Sequence, residues 1–410
     1  MRLTRVTWLY PAYLRRFYAE RRALAGRGYT EQRAAFALDG FSCGDAWAEA
    51  LAPMGWSTED HLFNALPLQR AWARERGVRW PGVGPALAVA EAQVEEARPD
   101  VLWIDDCASF DERTVERLRA RCAPRCLLVG WAGAPVAGRA RLAPYDLVLS
   151  NIPEYVRRLR EEGLRAEHVH HAFDPRVLER LGAVATGAIP VSFVGQIVRD
   201  MHLERERLLL SLAEVTRPLV FSPSAELRPR LLASSAAKYV GAMAGRVLDR
   251  FGALALADRG PAVVSKLLRS RSRHLLPVHP RLWRSMRPAV FGLEMYRTLA
   301  RSAVSLNVHA EHSPESASNM RLFEATGVGS CLLTDWKSNL PDLFRLDEEV
   351  IAFRGAQECI EKVRWLLDHP AARAEVARKG QARTLRDHTF ARRALALDRV
   401  LRAALDRKRP

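Results

Sequence analysis

The chain has 410 residues, 48% of them hydrophobic, and carries a formal charge of +16; that is too long for one ordinary core and suits two domains of about 200 residues each. The apolar share excludes global disorder, and no run of about 18 uncharged apolar residues offers a membrane span. Met1–Tyr10 is basic, but Pro11, Arg15 and Arg16 cut off any apolar signal core.

In chain order, Val6–Tyr10 reads as a first strand, and Asp45–Ala52 as a helix that follows a glycine-bearing loop. Leu66–Arg76 is a helix with Leu68, Ala71 and Trp72 on one face. The strand Val101–Asp105, the helix Glu112–Arg121 and the strand Cys126–Gly130 come next. The strand Asp146–Ser150 and a helix that stops at Gly163 follow. Such alternation implies a parallel sheet with crossover helices on both faces. The small-residue segment Ala183–Pro190 suits a hinge. The alternation then restarts with strands at Val191–Val194, Pro218–Phe221, Val304–Val308, Cys331–Thr334 and Val350–Phe353. Helices at Leu203–Glu214, Ala356–Leu367, Pro370–Arg386 and Phe390–Leu405 complete the chain. The expected architecture is α/β, two Rossmann-like doubly wound domains facing a central cleft. The first spans 1–182; 183–190 is the hinge, 191–388 the second domain, and 389–410 a closing helix. Ligands of such sheets sit outside the carboxyl ends of the strands.

Charge and cysteines narrow the class further. Between Ser222 and Val290 there are thirteen Arg or Lys against three Asp or Glu, a net of +10, so most of the excess belongs to one insertion at about 222–290. It admits three readings. One is a solvated helical insertion, and another is attraction to anionic lipid or a lipid-diphosphate acceptor, for which Ala237–Leu256 has interfacial spacing. The third is nucleic acid; aromatics for stacking are few (Tyr239, Phe251, Trp283), and Arg269, Arg271 and Arg273 would carry the contacts. The six cysteines are scattered; Cys122 and Cys126 form a lone C-x3-C without a second ligand pair, so no zinc site is expected. Reduced cysteines in a cytosolic protein are the plain reading.

The stretch NMRLFEATGVGSCLLTDW, with Phe344 downstream and HTFARR at His388–Arg393, resembles the CgeB-like, or spore-maturation-type, branch of the retaining glycosyltransferases related to family 4. The resemblance extends to FVGQ at Phe193–Gln196 with His202 and Arg205 beyond it, to HHAFDP at His170–Pro175, and to VFGLEMYRTL with SLNVH. GDAWAEAL and LQRAWARERG are a fainter echo. It implies the two-domain GT-B fold and a metal-independent, retaining transfer with no cofactor. A nucleotide sugar would be held by the C-terminal domain and an unidentified acceptor by the N-terminal one. Glu324 matches the glutamate that binds the ribose hydroxyls in related enzymes. The second glutamate of the family-4 pattern, seven residues earlier, is Ala317 here, and Glu315 is out of register.

The residues themselves suit that chemistry. Ser318 and Asn319 are N-cap candidates for a helix whose free amides attract anions. In its first turn Arg321 presents a planar fork for phosphate oxygens. Glu324, on the same face, could accept from ribose hydroxyls or pair with Arg321. Gly195 lets backbone approach a phosphate, with Gln196, Arg199 and His202 following; an ordinary strand-to-helix turn is the alternative. Asn307 and His309 end a strand, and His309 could donate to a sugar hydroxyl or the leaving phosphate, or be a satisfied structural histidine. Gly327 and Gly329 fit helix termination and a tight turn. On the acceptor side, Asp45 could deprotonate the acceptor or serve as an N-cap. Asp105 and Asp106 end a central strand, where adjacent side chains point to opposite sides; His170 and His171 precede the hinge. Two rival readings stay open: a catalytically inactive nucleotide-sugar binder, and a nucleic-acid-binding protein.

Overall fold

The structure, a computed structural model, describes residues 1–80, 82, 87–136, 138–199, 202–226, 229–255, 261–270 and 272–408. Arg271, named above with Arg269 and Arg273, lies outside them.

Two six-stranded sheets organise the chain. The first contains β1 (Arg2–Thr7), β2 (Ser57–Leu62), β3 (Val101–Asp105), β4 (Leu127–Trp131), β5 (Leu147–Ser150) and β6 (Ala166–His168), in the order β2-β1-β3-β4-β5-β6. The second contains β7 (Ile189–Val194), β8 (Leu219–Phe221), β9 (Met286–Arg287), β10 (Ser302–Asn307), β11 (Cys331–Asp335) and β12 (Ile351–Phe353), in the order β12-β11-β10-β7-β8-β9. Every pairing is parallel. The central strands are buried on both faces by helices, which is why they read as unbroken apolar runs such as Val101–Ile104.

The first strand departs from its expected place. It runs Arg2–Thr7 rather than Val6–Tyr10, because a charge does not interrupt it. Arg5 is buried and pairs with Asp60 of β2 at 3.0 Å. The same pairing explains β2, Ser57–Leu62, a polar stretch with no strand signature in the sequence.

The chain crosses between domains twice, side by side. Phe173 and Thr389 form a bridge. Phe173 N donates to His388 O (2.9 Å) and Phe390 N to Phe173 O (3.2 Å). Beyond Phe173, the helix Arg176–Leu181 packs Val177 into the same core as Leu322 and Phe323 of the second domain. The same helix also reaches the first domain, through Arg176 to Asp45 and Arg180 Nη1 to Ala37 O, and 183–190, the segment expected as hinge, follows it. On the return, the helix Phe390–Asp406 buries Phe390, Leu397 and Leu401 beside Trp47 and Trp103 of the first. Each such side chain contributes about 1.5–3 kcal/mol, so this helix is a strap across the junction. Gly327 fits here for a reason other than turn formation: a Cβ on it would lie 2.4 Å from the Phe173 ring. Gly329, with φ +76°, does make the turn into β11.

Inside 222–290, the helices Pro229–Arg250 and Ala262–Leu268 emerge beyond the carboxyl end of β8, and the segment ends in β9, an edge strand of the sheet. No helix among the described residues is long and apolar enough to cross a membrane.

Candidate functional site

Each sheet has a place where neighbouring strands send their connections to opposite sides, and ligands of doubly wound sheets bind there. In the first sheet this is β1 beside β3, whose carboxyl ends lead to Tyr10, Asp105 and Asp106. In the second it is β7 beside β10, leading to Gly195, Asn307 and His309. The two places face each other. Asn151, after β5, donates Nδ2 to Ser318 O at 2.7 Å across the junction. Tyr10 is 65% exposed because the cleft is open to water, yet both walls crowd it. The carboxylates of Asp106 and of Glu324, one from each wall, lie close enough to act on its phenol.

Gly195 lies between two guanidinium groups. Arg321 Nε donates to Val194 O (3.3 Å), and Arg205, on the helix Leu203–Ala213, donates Nη1 to Gln196 O (3.2 Å) and Nε to Val308 O (3.0 Å). Burial holds the Arg205 pKa below its ordinary value, and the nearby Arg321 charge adds to that. A Cβ on Gly195 would meet the Phe193 ring at 3.0 Å, and Arg205 stands over that same ring. Arg321 Nη1 also donates to Glu324 Oε2 at 2.6 Å. No hydrogen bond among the described residues engages Arg321 Nη2. Glu324 is buried, and desolvation raises its pKa against the opposing charge of Arg321.

His309 is held from one side only. Its Nδ1 is 2.7 Å from Asp335 Oδ1, which also accepts from His309 N at 3.0 Å. A carboxylate can only accept, so Nδ1 carries the proton. Burial pushes the Asp335 carboxyl up, but the hydrogen bonds from the His309 ring and backbone and the charge of Lys337 outweigh it and hold it low. His309 Nε2 is buried with no hydrogen-bond partner, and in the neutral ring it is an acceptor. His202 is fixed likewise: Val198 N donates to its Nδ1 (3.0 Å), leaving the proton on Nε2. Asn307 and Asn319 exchange hydrogen bonds through their amides at 2.7 and 3.3 Å, which ties the end of β10 to the loop before Arg321.

Other expected residues are differently engaged. Neither Ser318 nor Asn319 caps a helix. The helix is Arg321–Gly327, its N-cap is Met320, and no side chain caps it. Ser318 Oγ turns to Ser313 Oγ. With so short a helix, the arginine side chains and not the helix dipole dominate the local charge. Asp45 stands at the N-cap of the helix Ala46–Leu51, but its side chain makes no capping bond and instead pairs with Arg176 at 2.7 Å; Arg176 also holds Asp174. Arg199 turns to Glu206 at 3.5 Å. Asp105 is engaged by Arg5 (3.5 Å) and Thr7 (3.4 Å), while Asp106 sits at φ +137° and accepts from Ala108 N. His171 packs on Trp131, and burial lowers its pKa to about 4. His170 is in the same cluster, with its pKa lowered to about 2 by burial and neighbouring positive groups. Ala317 is buried, its N bonded to Asn339 Oδ1 at 2.6 Å.

Nothing in the sequence pattern strongly marks Tyr10, Asp335 or Lys337 as site residues, and Arg205 enters only through the resemblance. Asp335 had a signal: it ends a buried strand adjacent to β10, as Asn307 does. Tyr10 had none beyond its place after the first strand. Among the described residues, no group of three or more His, Cys, Asp or Glu gathers as metal ligands do.

Residues 264–399 match the model of a family described as glycosyl transferase-like. That span holds Arg321, Glu324, His309 and the HTFARR strap, but not Gly195 or Arg205. No curated protein matches the chain. Among solved structures, sucrose-phosphate synthase from Thermosynechococcus elongatus is similar over 99% of this chain and 100% of its own, at 11% identity and TM-score 0.53. AviGT4, a glycosyltransferase of avilamycin A biosynthesis, is similar over 99% of this chain and 98% of its own, at 13% identity and TM-score 0.51. Anabaena HepE in complex with UDP-glucose covers 98% of this chain and 100% of its own, at 10% identity and TM-score 0.51. The architecture is the GT-B fold, two Rossmann-like domains across a cleft.

Proposed function

We propose that the protein transfers a glycosyl group from a nucleoside-diphosphate sugar to an acceptor hydroxyl in the cleft between the two domains. The observation that carries this reading is the pair of guanidinium groups, Arg205 and Arg321, anchored on either side of side-chain-free Gly195. Two like charges held this close suit an anion with several oxygens. The diphosphate would lie over Gly195, and Glu324 would accept from the ribose with the oxygen that Arg321 leaves. The bond from the anomeric carbon to the diphosphate oxygen breaks as the acceptor oxygen bonds to that carbon. The acceptor proton leaves with the diphosphate, whose new charge Arg205 and Arg321 neutralise in place of a metal. His309 Nε2 would accept from a sugar hydroxyl. Tyr10 and Asp106 would form the acceptor wall. Closure about the paired crossings would exclude water.

Retention of configuration, the kinship with the CgeB-like branch and a cytoplasmic setting are inferred from the resemblance of the 318–335 and 388–393 stretches. UDP is the first nucleotide to test, because HepE is seen with UDP-glucose. The buried alanine at 317 favours one second reading, a cleft that binds the donor without transferring from it.

Thermal shift and calorimetry with nucleoside diphosphates test the binding step. At least one should stabilise the fold in proportion to its affinity. Arg205→Ala should weaken that ligand about tenfold or more, the loss of one charged hydrogen bond, and leave nucleoside binding unchanged. Stabilisation by none of them refutes the proposal. Release of the nucleoside diphosphate from a bound donor then separates transferase from binder, and His309→Ala, which removes one hydrogen bond to the sugar, should slow it about tenfold.

A further inference from the structure

The helix Pro229–Arg250 has two unlike faces. Gly241 and Gly245 form one, against which the helix Ala262–Leu268 packs so closely that a Cβ on either would overlap Leu267 or Leu268. Away from that seam, Val240, Met243 and Val247 recur at helical spacing, and Phe251 continues the row just past the helix end. They are 61, 45, 54 and 78% exposed. At 3.6 residues per turn they share an arc of about 80°. Val263 on the neighbouring helix is exposed as well. Arg246 and Arg250 flank the row, and the segment from Ser222 to Val290 carries a net +10. An apolar stripe left largely exposed among the described residues, with Arg246 reaching back to Met243 Sδ at 2.9 Å and with arginines beside it in the most basic part of the chain, has the chemistry of a surface that is apolar within and anionic at its rim.

We infer that this helical pair docks the protein on an anionic lipid surface, with Val240, Met243, Val247 and Phe251 entering the headgroup boundary and the arginines meeting lipid phosphates. Charge complementarity commits the face to lipid. Nucleic acid would use the same arginines but has no need of the aliphatic row. The docking element is tied directly to the site. Ser222, where the insertion begins, accepts from Ile197 N through Oγ (3.2 Å), and Arg199 N donates to Pro277 O (2.9 Å) on its way back. The loop that bears Gly195 is thus pinned at both ends of the insertion. The inference does not depend on what the cleft binds.

The test is sedimentation of the full-length protein with phosphatidylcholine vesicles, with and without phosphatidylglycerol, over a salt series. Expected is binding to the anionic vesicles that weakens with salt, and an about tenfold loss in Val247→Glu/Phe251→Glu. Both residues are exposed, so the fold should survive. Arg246→Ala/Arg250→Ala should reduce the preference for the anionic lipid. The nucleoside-diphosphate thermal shift, repeated on the glutamate variant, should be unchanged, which separates failure here from failure of the donor reading. No sedimentation with anionic vesicles, or equal binding by the glutamate variant, overturns the inference. So does a salt-sensitive nucleic-acid complex without vesicle binding, or a dimer that the glutamate pair dissociates.

Discussion

Arg321→Ala probes the centre of the site through stability. The Arg321–Glu324 pair is short, 2.6 Å, and its side chains are only 16% and 6% exposed. Removing the guanidinium leaves the Glu324 carboxylate desolvated without its counter-charge, a loss of about 3–5 kcal/mol for a buried pair. At about 2–4 °C per kcal/mol for a domain of some 200 residues, the expected fall in Tm is roughly 10 °C near pH 8. The sign of the pH dependence follows from Glu324, whose folded pKa is already raised by burial and rises further in the variant. A carboxyl raised on folding contributes stability that is full below its unfolded pKa and is lost as pH rises through the folded one. The deficit of the variant should therefore shrink as pH falls and Glu324 takes up a proton in the fold. Arg321→Ala/Glu324→Gln should recover most of it at pH 8. Differential scanning calorimetry of the three proteins at pH 5 and 8 measures all of this. A pH-independent deficit, or no rescue by Glu324→Gln, would refute the account of a buried, charge-dependent pair.

Gly327→Ala should destabilise by about 1–3 kcal/mol through overpacking, because the new Cβ falls on the Phe173 ring where the chain crosses between domains; urea denaturation reads it, and a neutral effect would mean the crossing yields freely. Acid should weaken the fold early. Burial lowers the pKa of His171 and His388 to about 4 and that of His61 to about 3. Groups lowered in this way contribute stability above their unfolded value, near 6.5, that is lost as pH falls toward the folded values. The urea midpoint should drop between pH 6.5 and 4, and His61→Leu, which removes a buried ring with no hydrogen-bond partner on either nitrogen, should make that drop shallower.

Much of the second domain was legible from its residues. The strand Cys331–Asp335 and the helices Ala356–Asp368, Pro370–Asp387 and Phe390–Asp406 lie within one or two residues of their expected bounds, since apolar runs and helical periodicity report burial directly. Two things escaped. Ser57–Leu62 is a strand because Arg5 meets Asp60 on the adjacent strand, and no single stretch of sequence announces a partner fifty-five residues away. Ser318 and Asn319 look like caps, yet their polar groups are taken by Ser313, Asn151 and Asn307 from elsewhere in the chain.

By itself, the amino-acid order determined where strands and helices alternate, that two such units stand in tandem, and which stretch holds the surplus of positive charge. These are local properties, written in periodicity and composition. Only the tertiary structure decided which polar groups are spent on the fold and which remain for a ligand. Asp45 is consumed by Arg176, whereas Arg205 is brought beside Arg321 and His309 keeps an unpartnered Nε2. The physical reason is that a charge or a hydrogen-bonding atom acquires its role from the three-dimensional company that satisfies or strands it, and that company comes from distant parts of the chain.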